Sequence, residues 1–413
     1  MRKIANLFLV MFLISAGLGI FTELLSPYWQ QSPISGLYNM AQLLLFILSV
    51  LVYYGLGLNR HLTKSIFVPL LAYLLWGMLD FWPLESIAVS HYALYAACGK
   101  LLVGLLALES IRRENGVSPL MTEGQFEQPG FSGWNLLRFC LVSLPLVPLI
   151  LLVFGYAATS GLIEEYTAGF VRLKPNGLYM IEKVYVQGDK QIRLAGMIHM
   201  GREDYYTELE NSFHTGDTLL LAEGVSDELG LLKDKFSYGK MAGLLGLDSQ
   251  EKLRFSGRLI EAESLDLPLS AEVGTPDILR ADIDLQEFDA RTLEVLNAIG
   301  TYLLNSSSLR SGYLQFSQWA EQNLTPETNQ ILMDDLLQRR NQSVLSFLQK
   351  GLKKYRTILI PWGALHMPGI EAAVRERGFS LSESHERLSI DFFSLPYKRL
   401  IGNIVDDFGR AGM

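Results

Sequence analysis

Three side chains in this 413-residue chain stand where chemistry can be done. The apolar run IRLAGMIH ends at His199, TLLLAEG carries Glu223, and TILIPWGALH ends at His366. Two imidazoles and one carboxylate are a common ligand set for zinc or a related divalent ion such as manganese or cobalt. That set leaves one position open for a water that the metal acidifies into a nucleophile. Both histidines close the same local pattern, Gly196-Met197-Ile198-His199 and Gly363-Ala364-Leu365-His366. The glycine lets the backbone leave a strand sharply and puts the histidine at the mouth of the turn. A single histidine at a strand end is more often a hydrogen-bonded structural residue than a ligand. The doubled pattern, with a glutamate at a third strand end, shifts the balance toward a site. Glu223 also reads as a cap for a helix N-terminus.

An α/β domain is what would position these groups. Ligands of open α/β sheets sit beyond the carboxyl ends of parallel strands, so three such strands would bring His199, Glu223 and His366 to one edge. The hydropathy pattern after Gly161 supplies the elements. Residues 179–186 and 191–198 read as a hairpin around Gly188-Asp189, 205–213 as a helix, 218–222 as a buried strand and 238–247 as a short helix. Helical periodicity dominates 285–304 and 327–352, with 305–308 as a break; 357–360 is a strand, 369–377 a helix and 388–393 the last strand. Glu203 and Tyr205 read as a surface helix face, and His214 and His385 as solvent-exposed. Asp282 and Asp284 in ADID read as supporting carboxylates or a helix cap, and Met200 and Met367 as packing residues.

The first part of the chain is of another kind. Residues 1–158 hold eight Lys and Arg against seven Asp and Glu, of 35 and 43 in the whole chain, so the remainder is acidic and carries nearly all the charge. With 49% hydrophobic residues this is not a disordered protein, and no clustered basic footprint exists for DNA or RNA. Cys98 and Cys140, the only cysteines, sit in apolar runs, which excludes a disulfide framework and a thiolate metal site in the polar part. Apolar runs at 4–25, 37–58, 66–81, 89–108 and 136–158 reach or approach the roughly 20 residues that cross a bilayer. Arg2 and Lys3, then Arg60 and Lys64, then Arg112, Arg113 and Arg138 alternate with loops at 26–36 and 82–90 that hold neither Lys nor Arg. Retention of Lys and Arg in the cytoplasm then predicts five spans, an inside N-terminus and everything after Ala158 outside. Tyr28, Trp29, Trp76, Trp82 and Trp134 lie near span ends, where amphipathic rings sit at headgroup level. Lys100 falls within the fourth span, where a charge either reaches a neighbouring helix or the interface or marks a function. The expected fold class is a helical transmembrane bundle followed, from residue 159, by an extracytoplasmic α/β domain with a mixed sheet.

The ordered set GMIHMGREDYYTEL, TLLLAEGV, RRNQSVLSFL and ILIPWGALHMPGIEAAVRERGF resembles the TraB/TIKI family, within the wider group of erythromycin-esterase-like and ChaN-like proteins. The resemblance covers most of residues 179–393 and none of the membrane spans. Family members of the TIKI type are described as metal-dependent peptidases with two Gly-x-x-His motifs and a glutamate. The resemblance therefore implies His199 and His366 as metal ligands, Glu223 as ligand or catalytic acid/base, and Arg340-Asn341 as the family's Arg-Asn pair on a helix facing the site. Arg340 would then steady an oxyanion or a substrate carboxylate; on the residues alone, beside Arg339, it reads equally as solvent-facing. TraB is tied to shutting down a peptide mating pheromone, which points to peptide or protein substrates. ChaN is linked to haem, which leaves a peptide- or haem-binding sensor without turnover as the alternative. The expected function is a membrane-anchored, metal-dependent hydrolase, a peptidase acting outside the cytoplasm.

Overall fold

The computed structural model describes residues 1–25, 33–81, 84, 91–116, 118–213, 217–233, 242, 246–249, 255–266, 275–305 and 309–398. Tyr28, Trp29, Trp82, His214, most of the helix expected over 238–247 and most of the break at 305–308 lie outside the described residues. The chain divides into two units, Met1–Ala157 and Ala158–Met413.

The first unit is built from helices α1 (Arg2–Leu25), α2 (Pro33–Leu58), α3 (Lys64–Gly77), α4 (Tyr92–Asn115) and most of α5 (Gly133–Tyr166). Among the described residues four helices, α1, α2, α4 and α5, are long and apolar enough to cross a membrane. Helix α3 has 14 residues. At about 1.5 Å per residue it covers about 21 Å, short of the roughly 30 Å hydrocarbon core. Phe8 and Phe12 of α1, Leu45 and Val52 of α2, and Phe67 and Leu70 of α3 pack inward. Small residues allow the close approach that helices without a hydrophobic driving force need: a Cβ on Gly104 would lie 2.6 Å from the Leu13 side chain. Outward faces leave Met40, Leu102 and Leu106 exposed, an apolar surface that suits hydrocarbon and not water. Helix α5 buries no residue at all and holds Pro145 and Pro148. It continues past Ala158, where the apolar run stops, through Glu164 and Glu165. A left-handed Gly169 (φ 74°), whose N–H returns to the Glu164 carbonyl at 2.8 Å, closes it.

The second unit holds a mixed sheet. Its strands are β1 (Val171–Lys174), β2 (Gly177–Gln187), β3 (Lys190–Met197), β5 (Thr218–Ala222), β7 (Arg258–Leu259), β8 (Asp277–Arg280), β9 (Thr357–Gly363) and β10 (Ser380–Asp391). A separate short pair joins β4 (Met200–Gly201) to β6 (Asp248–Ser249). One edge of β2 carries β10 along most of its length; the other carries β1 opposite residues 177–180 and β3 opposite 182–187, and from β3 the order continues β9-β5-β8-β7. Strands β3, β9, β5, β8 and β7 are mutually parallel, whereas β1, β2 and β10 join antiparallel. The parallel strands TLLLA and TILIPWG are almost continuously apolar because helices cover both faces. On one face Leu219, Leu221, Ile358 and Ile360 pack with Val344 and Leu348 of α10 (Arg340–Gly351) and with Ile370 and Val374 of α11 (Met367–Glu376). On the other, Leu220 and Leu359 pack with Tyr205, Tyr206 and Leu209 of α6 (Glu203–Asn211).

Several details depart from the hydropathy reading. Tyr205, expected on a surface face, is buried, since the stripe it forms with Tyr206 and Leu209 is the apolar side of α6; its hydroxyl donates to the Gly196 carbonyl at 3.3 Å. The helical stretch expected over 327–352 is α9 (Pro326–Met333), a wide π-helical turn over Asp334–Arg339, and then α10. The last strand begins at Ser380, far ahead of residue 388, and most of its side chains face solvent.

Candidate active site at the carboxyl edge of the sheet

Strand β9 lies between β3 and β5, and β8 follows β5. The carboxyl ends that lead to His199, His366, Glu223 and Asp282 are therefore consecutive neighbours along one edge, the position where open α/β sheets hold ligands. Met197 pairs with Gly363, and the Ala364 N–H donates to the Met197 carbonyl at 3.0 Å, so the two Gly-x-x-His turns leave the sheet side by side.

Their paths then separate. After Gly363 the chain makes a tight turn, closed by the His366 N–H on the Gly363 carbonyl at 2.9 Å, and enters α11 with His366 as its first flanking residue. His366 is buried. After Met197 the chain runs through an exposed His199 into β4.

Glu223 joins three elements. Its Oε2 accepts from the Gly363 N–H at 2.6 Å, and its Oε1 accepts from Arg340 Nη2 at 2.8 Å. Arg340 is the first residue of α10, and Asn341 is the second, turned about 100° around the helix axis. That offset aims Arg340 at Glu223 and Asp282 and Asn341 at His366. Arg340 grips Asp282 in a two-point fork, Nε to Oδ1 at 2.9 Å and Nη2 to Oδ2 at 2.7 Å. Asp282 also accepts backbone N–H groups, Gly224 on Oδ2 at 2.9 Å and Ile283 on Oδ1 at 3.0 Å. The guanidinium lies 5.5 Å from the buried Trp362 ring, which meets the His366 ring edge-on at 5.1 Å. Burial works against the Arg340 charge, but Asp282 first and then Glu223 overcome it, and its pKa is raised. Arg340, expected to steady a substrate group or face solvent, is thus engaged by two carboxylates of its own chain.

Asn341 fixes the histidine. Its Nδ2 donates to the His366 carbonyl at 3.4 Å, which leaves Oδ1 to accept from His366 Nδ1–H at 2.9 Å. The imidazole lone pair is then on Nε2, 3.6 Å from Glu223 Oε1. Gly369 makes room for this contact, since a Cβ there would come within 2.6 Å of Asn341 Nδ2. Burial, and then the nearby Arg340 charge, push the His366 pKa down to about 4, and Glu223 and Asp282 only partly offset them; His199 adds a small push in the same direction. His366 is neutral at pH 7.

This sets a pH dependence of stability. The folded state resists a proton that the unfolded chain accepts near 6.5, so the stabilisation is complete above that value and is lost as pH falls toward 4. The loss from this one group is about 3 kcal/mol. Thermal midpoints of the full chain between pH 7.5 and 4 should fall, and His366→Gln should flatten that fall; equal slopes would remove His366 as the cause.

Two acceptors facing each other across 3.6 Å need a cation or a donor between them. Two ligands each about 2.0–2.2 Å from one tetrahedral ion stand about 3.3–3.6 Å apart, so His366 Nε2 and Glu223 Oε1 suit two positions on a divalent metal. The Asn341 bond to Nδ1–H is the kind of support that orients a metal-bound imidazole. Among the described residues no group of three or more His, Cys, Asp or Glu side chains is arranged to hold a metal ion.

The two carboxylates of ADID divide the roles expected of them. Asp282 supports the site. Asp284 caps the short turn Leu285–Glu287 and accepts from Ser226 Oγ at 2.5 Å. Asp282 could have been singled out because, like Glu223, it follows a strand end, though β8 is short and carries Asp277 and Arg280 at its ends. Met367 packs in the core, and His385 is exposed beside Glu383. Comparison with protein-family models, with curated proteins and with solved structures returns no match to this chain.

Proposed function

We propose that the second unit is a metal-dependent hydrolase of TraB/TIKI type, a peptidase carried on the membrane by the first unit. The observation that carries this reading is the neutral His366, oriented by Asn341 and held with its Nε2 lone pair 3.6 Å from the clamped carboxylate of Glu223. His366 and Glu223 would hold the divalent ion, with His199 on the neighbouring strand end as the further ligand. A bound divalent ion supplies Lewis acidity, which activates water and polarises a carbonyl. The chain's own residues do the rest. If Glu223 does not itself ligate the ion, it would take the proton from the attacking water and return it to the leaving amine. Arg340 keeps Glu223 in place, Asp282 holds Arg340, and Asn341 keeps Nδ1 protonated.

The test uses the purified full chain with a peptide library, a chelator, and add-back of zinc, manganese or cobalt. Cleavage lost on chelation and restored by one ion is the expected result. Cleavage that survives complete chelation removes the metal from the reading. Saturable peptide or haem binding by a metal-loaded chain that cleaves no peptide would assign the site to a sensor.

For the membrane unit we infer five spans, the four long helices and the shorter α3 as the third in chain order, extended by the apolar residues that follow it, with a cytoplasmic N-terminus and an extracytoplasmic second unit. The alternation of basic loops supports it. Reporter fusions after Gly36 and at the C-terminus should report the outside, and one near Val117 the inside. A cytoplasmic C-terminus would overturn the arrangement.

A further inference from the structure

The membrane unit encloses a cavity of about 770 Å³ among α1, α2, α3, α4 and α5. That size lies within the range of about 300–1,000 Å³ typical of small-molecule sites. Most of the wall is apolar, contributed by residues such as Leu45, Phe46 and Leu74. Into it comes the ammonium of Lys100, a residue only 5% exposed. Lys100 Nζ donates to Gln42 Oε1 at 3.0 Å and sits 5.3 Å from the Phe12 ring centroid. Gln42 in turn donates from Nε2 to the Tyr38 hydroxyl at 2.6 Å. No carboxylate pairs with Lys100 among the described residues, so one of the three ammonium protons has a polar side-chain acceptor there and two remain. Glu23, Tyr38, Asp80 and Tyr92 line the cavity near the ends of α1, α2, α3 and α4. These are the ends that precede or follow the loops without Lys or Arg.

An uncompensated ammonium within a membrane span is costly and is retained where it has a partner or a task. A soluble anion would find no match in the apolar walls, and a purely apolar molecule would leave the ammonium unsatisfied. We propose that this cavity binds a single-chain amphiphile with an anionic head group, the head on Lys100 beside Gln42 and the acyl chain along the apolar wall. A carboxylate head (a free fatty acid) and a phosphate head (a lysophospholipid) present the same chemistry to Lys100. The site does not depend on the peptidase reading, and it makes the first unit a receptor for a lipid-like molecule as well as an anchor.

The test uses the full chain in phosphatidylcholine nanodiscs, with binding of radiolabelled palmitate and competition by unlabelled hexadecanol and by palmitoyl lysophosphatidate. Saturable palmitate binding is expected, with hexadecanol at least about tenfold weaker, as loss of a charge-assisted contact implies. Lys100→Met should weaken palmitate by about tenfold or more while leaving hexadecanol unchanged, and Lys100→Arg should retain most binding. Displacement by lysophosphatidate at lower concentration than by palmitate would identify the phosphate as the preferred head. Absence of saturable binding of both anions, or hexadecanol binding as tight as theirs, overturns the proposal on the wild-type chain alone, whatever the folding of the variants.

Discussion

Replacing Arg340 with Met is expected to destabilise the second unit by about 3–5 kcal/mol, the range for leaving buried charge without its partner. The Asp282 side chain is fully buried and that of Glu223 is 9% exposed, and a single guanidinium pairs with both. Arg340→Lys keeps the charge but replaces a planar fork by a point charge, so it can satisfy Asp282 or Glu223 well but not both, and should recover only part of the loss. Adding Asp282→Asn to Arg340→Met removes one orphaned charge and should restore part of the stability, a coupling that only direct contact produces. Urea unfolding of the full chain in detergent measures all three variants. A loss below about 1 kcal/mol in Arg340→Met would mean that the carboxylates are satisfied without the guanidinium.

If the second unit is the peptidase proposed above, His366→Ala should lower peptide turnover by about 10²- to 10⁴-fold, the span for a group that takes part directly in the reacting proton and ligand arrangement. The substitution leaves Asn341 Oδ1 without its partner and Glu223 Oε1 without its neighbour, yet the Arg340 clamp on Glu223 does not pass through the imidazole. A rate effect far larger than the effect on thermal stability is therefore the signature. His385→Ala, on the exposed outer strand, serves as the control and should leave turnover unchanged. Because the free His366 titrates near 4, the acid limb of kcat/KM in the wild type should also lie well below the ordinary histidine value. Turnover in His366→Ala within threefold of wild type would move the chemistry elsewhere.

How much of this was legible follows from which forces leave a local trace. The strand ends at His366 and Glu223 were readable because TILIPW and TLLLA are apolar runs broken abruptly by polar residues, the mark of a buried strand reaching its edge. In the sequence Asp282 reads only as a supporting carboxylate or a cap, since its importance comes from Arg340, 58 residues away, and pairing across that distance leaves no pattern in either segment. Arg340 was placed on the right element, but what its fork would hold depended on the same unseen partner. Strand β10 escaped for another reason: SLSESHER is polar on both faces, so its pairing with β2 rests on backbone bonds that hydropathy does not record. The four helices long and apolar enough to cross a membrane, by contrast, are legible from the apolar runs alone.

The placement of β9 governs when this site can exist. In chain order β3, β5 and β8 come first and β9 last, yet β9 fills the gap between β3 and β5. Until residues 357–363 are available, β3 and β5 have no direct pairing, and each presents an unsatisfied edge of backbone N–H and C=O groups. The same insertion delivers the Gly363 N–H to Glu223 and His366 to Asn341. Pairing over such sequence separation is slow because loop closure comes before the reward. A chain emerging from its N-terminus therefore passes through a stage with the helices of the first unit already made and two open strand edges. In that interval the unit is most exposed to misassembly and cleavage, and the cluster of His366, Glu223, Arg340 and Asn341 is absent until the sheet has closed.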